Sequence, residues 1–268
     1  MSAASSLSSK YAIARAAASR DVAAIRQVYG FECHNSLAHG AMSEKRCRGS
    51  VGAVRIGLIS DTHLPSLMRS LDELGPVVGE ALRGLDLILH GGDVVSPVVL
   101  DWCQQFADVL VAEGNNDLFH DARMQEVQLL DVDGWRIGMA HELRPESRPI
   151  AQILESALHG EQVDILVGGD THVERLEYRD GVLLINSGSP VLPHHLSPRL
   201  GTIGILDVTR GRVHAEIVSL GHTEGARNPS RPRHLVLQEG RIIEATLDGQ
   251  ALDLSTFEHH SGISTAAH

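Results

Sequence analysis

Val54-Arg55-Ile56-Gly57-Leu58-Ile59-Ser60-Asp61-Thr62-His63 (residues 54–63) decides how this chain is read. A β-branched and leucine-rich run of strand length, 54–60, breaks abruptly into an acid and a histidine. Three more runs end the same way: 85–89 before Gly92-Asp93, 109–111 before Gly114-Asn115-Asn116-Asp117, and 165–167 before Gly169-Asp170-Thr171-His172, with His141 between the last two clusters. Side chains able to hold metals are therefore expected at one edge of a sheet, the carboxyl edge, where loops converge and α/β folds form crevices. Asp61 and His63 are two apart, so on an extended segment they are expected to project to one side and grip one ion.

The chain has 268 residues, 43% of them hydrophobic and 21% charged, the composition of an ordinary globular protein with material for a core. Its formal net charge of -11 argues against nucleic acid or an anionic membrane as the main partner, since neutralising phosphates takes clustered Lys and Arg. Cys33, Cys47 and Cys103 are odd in number and lack CxxC spacing, so neither a disulfide framework nor a zinc ribbon is expected and a reducing cytoplasm is the simplest setting. No apolar stretch approaches the roughly 20 residues of a membrane helix.

Three parts are expected. Residues 1–50 are Ala- and Ser-rich, have no acid before Asp21 and read as a disordered extension. A start assigned too far upstream, with Met42 as the first residue, accounts for that composition and is preferred to a transit peptide for organelle import over 1–41. Residues 51–220 alternate strands with helical patterns. Ser147-Arg148-Pro149 followed by Ile150, Ile153, Leu154 and Ala157 predicts a capped amphipathic helix. Strands are expected at 173–178 and 182–185 across Arg179-Asp180-Gly181, and at 202–208 and 213–218 across Arg210-Gly211. With parallel units early and antiparallel ones late, the fold class is α/β, a sandwich of mixed sheets. Residues 221–268 read as a polar linker, a weak hairpin over 235–247 and a solvated end with His259, His260 and His268.

Together "ISDTH" (59–63), "HGGD" (90–93), "GNND" (114–117), "AHE" (140–142), "GGDTH" (168–172) and "INSGSP" (185–190) resemble, in order and spacing, the calcineurin-like metallophosphoesterases over residues 54–218. They look most like the small bacterial and archaeal phosphodiesterases, whose fold the retromer scaffold subunit shares. The resemblance implies two mixed β-sheets flanked by helices, and two divalent metal ions (Mn, Fe, Ni or Zn). Asp61, His63 and His172 would hold one ion, Asp93 would bridge, and Asn115, His141 and Asp170 would complete the second. A metal-bridging hydroxide would attack a phosphate ester of small or nucleotide-like character. The rival is a non-catalytic protein-binding scaffold of the same fold, disfavoured because the ligand positions keep metal-competent side chains.

Two departures stand out. Asp170 replaces the first histidine of the family's Gly-His-Thr-His pattern, and this harder anionic donor tilts the expected ions towards manganese or iron. In "MAHEL" (139–143) His141 remains, but the family's following histidine does not. At Asn116 larger relatives place a leaving-group histidine. Asparagine donates hydrogen bonds but delivers no proton, so Asn116 is expected to orient a phosphoryl oxygen and the substrate to be a phosphodiester or activated ester. Asp117 reads as an orienting partner or turn cap, His90 as a satisfied histidine, His194 and His195 as a solvated loop pair by the crevice, His120 likewise as solvated, and Cys103 as a core thiol.

Overall fold

The computed structural model describes residues 52–64 and 66–254. The readings of residues 1–50, Met42, Cys33, Cys47, His259, His260 and His268 lie outside the described residues.

Among them the chain first lays down β1 (Val54–Ile59), β2 (Leu87–His90), β3 (Asp108–Ala112) and β4 (Met124–Gln125) as parallel neighbours. It then builds a second sheet from β5 (Val127–Val132), β6 (Trp135–Ala140), β7 (Ile165–Gly168), β8 (Arg175–Arg179) and β9 (Val182–Asn186). The return to the first sheet uses β10 (Thr202–Thr209), β11 (Arg212–Ser219), β12 (Arg233–Gln238), β13 (Arg241–Leu247) and β14 (Gln250–Ala251). β10 lies antiparallel to β1, so the nine-stranded sheet, ordered β14-β13-β12-β11-β10-β1-β2-β3-β4, is mixed. The other, ordered β5-β6-β7-β9-β8, has a parallel centre and an antiparallel hairpin at each edge. This is the expected α/β sandwich.

The sheets pack face to face through alternate residues: Ile56, Leu58, Leu87 and Leu89 meet Ile137, Met139, Ile165, Val167, Leu183 and Ile185. The outer face of the first sheet offers Ile59, Ile88, Val109 and Val111 to α1 (Gly75–Ala81) and α2 (Pro97–Cys103), among whose residues Cys103 is a buried core thiol. Central strands covered on both faces explain why the sequence reads there as unbroken apolar runs. Beneath the second sheet lies α3 (Ile150–Ala157), with Ile150, Ile153, Leu154 and Ala157 in one stripe against Leu166 and Leu184. Ser147 does not cap it: Pro149 is the N-cap residue, with no side-chain hydrogen bond.

Strand β8 begins at Arg175, two residues later than expected, because His172 is left-handed (φ 56°) and the Val173 amide donates to Thr171 Oγ1, which keeps 171–173 in a turn. Register aligns the ends of the parallel strands, pairing Ile59 with His90, His90 with Val111, and Gly168 with Asn186. Every ligand cluster leaves this edge.

The hairpin expected over 235–247 forms as β12 and β13, and it shares sheet and core with the earlier strands through Leu235 and Leu237. Tyr178 on β8 donates its hydroxyl to Gly240 O at 2.9 Å, and buried Glu174 accepts from the Arg231 amide (2.9 Å) and the Arg233 guanidinium (3.1 Å). His194 completes the cluster at 2.8 Å from Glu174 Oε2. Burial pushes the Glu174 carboxyl up, but the Arg231 amide, His194 and Arg233 outweigh it and hold it below the usual carboxylate range. Glu174→Ala leaves the Arg233 guanidinium without this buried counter-charge and is expected to cost about 3–5 kcal/mol in urea unfolding. In Glu174→Gln the pH dependence isolates the charge. A depressed folded pKa means wild type should keep its full advantage above the unfolded pKa of about 4.3 and lose it as pH falls through the lower folded value.

Candidate metal centre

The residues after the aligned strand ends are held by backbone. The amides of Asp61 and His63 donate to the carbonyls of Gly92 and Asp93, both at 3.0 Å, and the Asp170 amide donates to the Asp61 carboxylate at 3.1 Å. Asp61, His63, Asp93, Asp170 and His172 all lie in the left-handed region, with φ from 51° to 69°. A non-glycine residue there is uncommon, though Asp and His tolerate it better than most. Elsewhere Asp133, Asp180, Glu239 and Asp248 take this conformation before a glycine at hairpin turns, where geometry demands it. At the centre it aims side chains inward. Asp61 and His63 therefore converge through a turn beyond β1, not through the pleat of an extended segment as the sequence suggested.

Two donor groups result: Asp61, His63 and His172 in one, and Asp61, Asp93 and His141 in the other, each with its ligand atoms within 4.8 Å of one another. Asp61 is common to both groups, and Asp93 of the second also reaches the first, with Oδ2 3.5 Å from His63 Nε2 and Oδ1 3.4 Å from His141 Nε2. Asn115 Oδ1 is 3.1 Å from His141 Nε2. Asp170 is adjacent, with Oδ1 3.9 Å from that nitrogen, but its carboxylate pairs with Arg144. All seven sequence-derived ligand candidates are thus brought together, Asp170 and Asn115 at the rim.

Tautomers suit metal ligation. His172 Nδ1–H donates to Leu192 O at 2.9 Å and His141 Nδ1–H to Gly91 O at 2.7 Å, so each ring turns Nε2 inward. His63 Nε2 comes within 2.9 Å of His172 Nε2. Burial lowers His63 and takes His172 down to about 4, keeping both neutral. Burial, too, raises Asp61 to about 7. For Asp93 burial is outweighed by His141 and by the Asn116 amides, and its pKa falls below the usual range. Burial likewise pulls at His141, but its bond to Asp93 and the charges of Asp61 and Asp93 raise it to about 9. The donor set, carboxylates and inward-facing imidazoles, fits divalent ions.

Asn116 donates its backbone amide to Asp93 Oδ1 (2.9 Å) and its side-chain amide to Oδ2 (2.6 Å). His90, fully buried, accepts from the Gly92 amide at 3.2 Å and lies 3.3 Å from Thr62 Oγ1; burial lowers it to about 3. His194 is half-buried and bonds Glu174, contrary to the solvated reading, whereas His195 is exposed as expected yet stacks on His172 with centroids 4.0 Å apart. The glycines of the motifs make room: a Cβ on Gly92 would lie 2.6 Å from His141 Nδ1, and one on Gly114 would overlap Asp93. Beside His141 and Asn115 a cleft of about 550 Å³ opens, bordered by Glu113, Glu142, Arg144 and Arg148.

Residues 54–211 match the calcineurin-like phosphoesterase superfamily domain, and the chain belongs to that superfamily. A probable metallophosphoesterase of Methanothermobacter thermautotrophicus is 31% identical over 167 residues, 62% of this chain and 92% of the relative. A phosphodiesterase of Methanocaldococcus jannaschii is 26% identical over 180 residues, 62% of this chain and 99% of its own length. In fold the chain is similar to Vps29 of Chaetomium thermophilum (TM-score 0.56, 18% identity), over 69% of this chain and 96% of that one. Among the described residues no helix is long and apolar enough to cross a membrane.

Asp117 ties the centre's loops to one another. Its buried carboxylate accepts the amides of Asp93 (3.0 Å), Gly114 (2.9 Å) and Val95 (2.6 Å), the last a β-branched residue at φ 68°. Asp117→Asn puts an amide NH2 against at least one of these three N–H donors. It is expected to lower stability by about 1–3 kcal/mol and weaken divalent-ion binding about 10–100-fold, read by urea unfolding and calorimetric titration. Unchanged ion affinity would remove Asp117 from the centre's support.

Proposed function

We propose that this protein is a dinuclear metal-dependent phosphodiesterase acting on a small or nucleotide-like phosphoester. The observation that carries the reading is Asp93, whose two carboxylate oxygens each approach a different histidine. In this reading Asp61, His63 and His172 hold one ion, Asn115, His141 and Asp170 the other, and Asp93 bridges. Two bound divalent ions, manganese favoured, would supply an activated water and positive charge for the phosphoryl oxygens. The protein's part is to hold the donors in place. Asn116 keeps Asp93 oriented with one N–H of its amide and has the second for a phosphoryl oxygen. It cannot protonate a leaving group, which favours diesters and activated esters over monoesters of poor leaving groups. The 550 Å³ cleft beside Asn115 and His141 has room for a substrate of that size. A cytoplasmic setting belongs to the same reading, supported by an odd number of cysteines without CxxC spacing.

Metal-stripped protein reconstituted with manganese is expected to cleave bis(p-nitrophenyl) phosphate faster than p-nitrophenyl phosphate. Asp93→Asn should lower that rate by at least about 100-fold, since loss of even a ligand's outer partner costs up to about that much. Folded protein inert with manganese, iron, nickel and zinc would instead favour the scaffold reading.

A further inference from the structure

Asp170 is the position at which this chain departs from its family's histidine, and the structure supplies it with a partner. Arg144 faces the carboxylate side-on, Nε against Oδ2 and a terminal nitrogen 3.0 Å from Oδ1. The Asp170 side chain is 8% exposed, that of Arg144 55%. An exposed arginine reaching to a carboxylate outside a centre is commonly a weak surface pair. Here the carboxylate is inside one: Oδ1 lies 3.9 Å from His141 Nε2, and the Asp170 amide is bonded to the carboxylate of Asp61.

We propose that Arg144 is the positioning residue that makes an aspartate workable at 170. Its guanidinium donates a hydrogen bond to Oδ1 and pairs by charge with Oδ2, and so holds the rotation that keeps Oδ1 towards His141. An ionised carboxylate has about four lone-pair sites, so an arginine on one side leaves sites for an ion on the other. Charge follows the same logic. Replacing a neutral imidazole by a carboxylate cancels one positive charge of the ion-loaded centre, and the guanidinium restores it next to where an anionic phosphoryl group would sit. Arg144 and Asp170 thus act as a unit that a histidine at 170 would not need.

This inference rests on the two-ion reading above, and manganese binding by the full-length, metal-stripped protein separates the two. Isothermal titration of wild type is expected to show two ions. Arg144→Met should weaken the second ion about 10–100-fold and leave the first within about threefold, the range for removing a ligand's outer partner. Arg144→Lys should recover only part of the loss. In an Asp170→His background, or Asp170→Asn should that variant fold poorly, Arg144→Met should change binding less than about threefold. An equal effect of Arg144→Met in both backgrounds, or none in wild type, overturns the proposal while leaving the two-ion centre intact. Fewer than two ions in wild type overturns both.

Discussion

Left-handed backbone at Asp61, His63, Asp93, Asp170 and His172 is the constraint around which the rest is arranged. Such residues cost free energy that the surroundings must offset, and they cluster where side chains have to be aimed. Here the offset comes from two directions. Aligned strands buried on both faces give the loops fixed starting points, and cross-loop bonds such as Asp61 N–H to Gly92 O and His63 N–H to Asp93 O hold the turns together. The conformations are therefore a product of the whole sandwich and not of local preference.

Electrostatics follows from that arrangement. Asp61 and Asp93 are both buried carboxylates, yet they shift in opposite directions, because Asp93 receives the Asn116 amides and the His141 ring while desolvation dominates at Asp61. Two neutral imidazoles and one that prefers a proton complete a pocket short of positive charge. A divalent ion is the species that satisfies acids and imidazole lone pairs together. The backbone carbonyls of Gly91 and Leu192 add directional precision by choosing which ring nitrogen faces inward.

Much of this was legible in the sequence because polar residues after apolar runs have few explanations at strand ends. The parallel centre, the late hairpins and the seven ligand candidates all followed from that pattern and from the family resemblance. The hairpin of β5 and β6 was missed, although Asp133-Gly134 between alternating apolar residues is the strongest short-range signal for one. The convergence of Asp61 and His63 was expected for the wrong local reason, since a turn beyond a strand leaves the same two-residue spacing as the strand itself. His195 on His172, Asn116 on Asp93 and Arg144 on Asp170 could not be read at all. Each joins segments well apart in the chain, and no periodicity encodes such a pairing.

Glu174 gives the C-terminal strands a meaning that their distance from the chemistry conceals. The family match ends at residue 211, yet Arg231 and Arg233 reach back to a carboxylate two residues from His172. The same carboxylate bonds His194, whose neighbour His195 covers the His172 ring. The superfamily module in this chain is thus tied, beside its last histidine, to residues beyond the family match. The loop carrying His194 and His195 and the start of β12 share one buried carboxylate, so the packing around His172 draws on strands that carry no ligand.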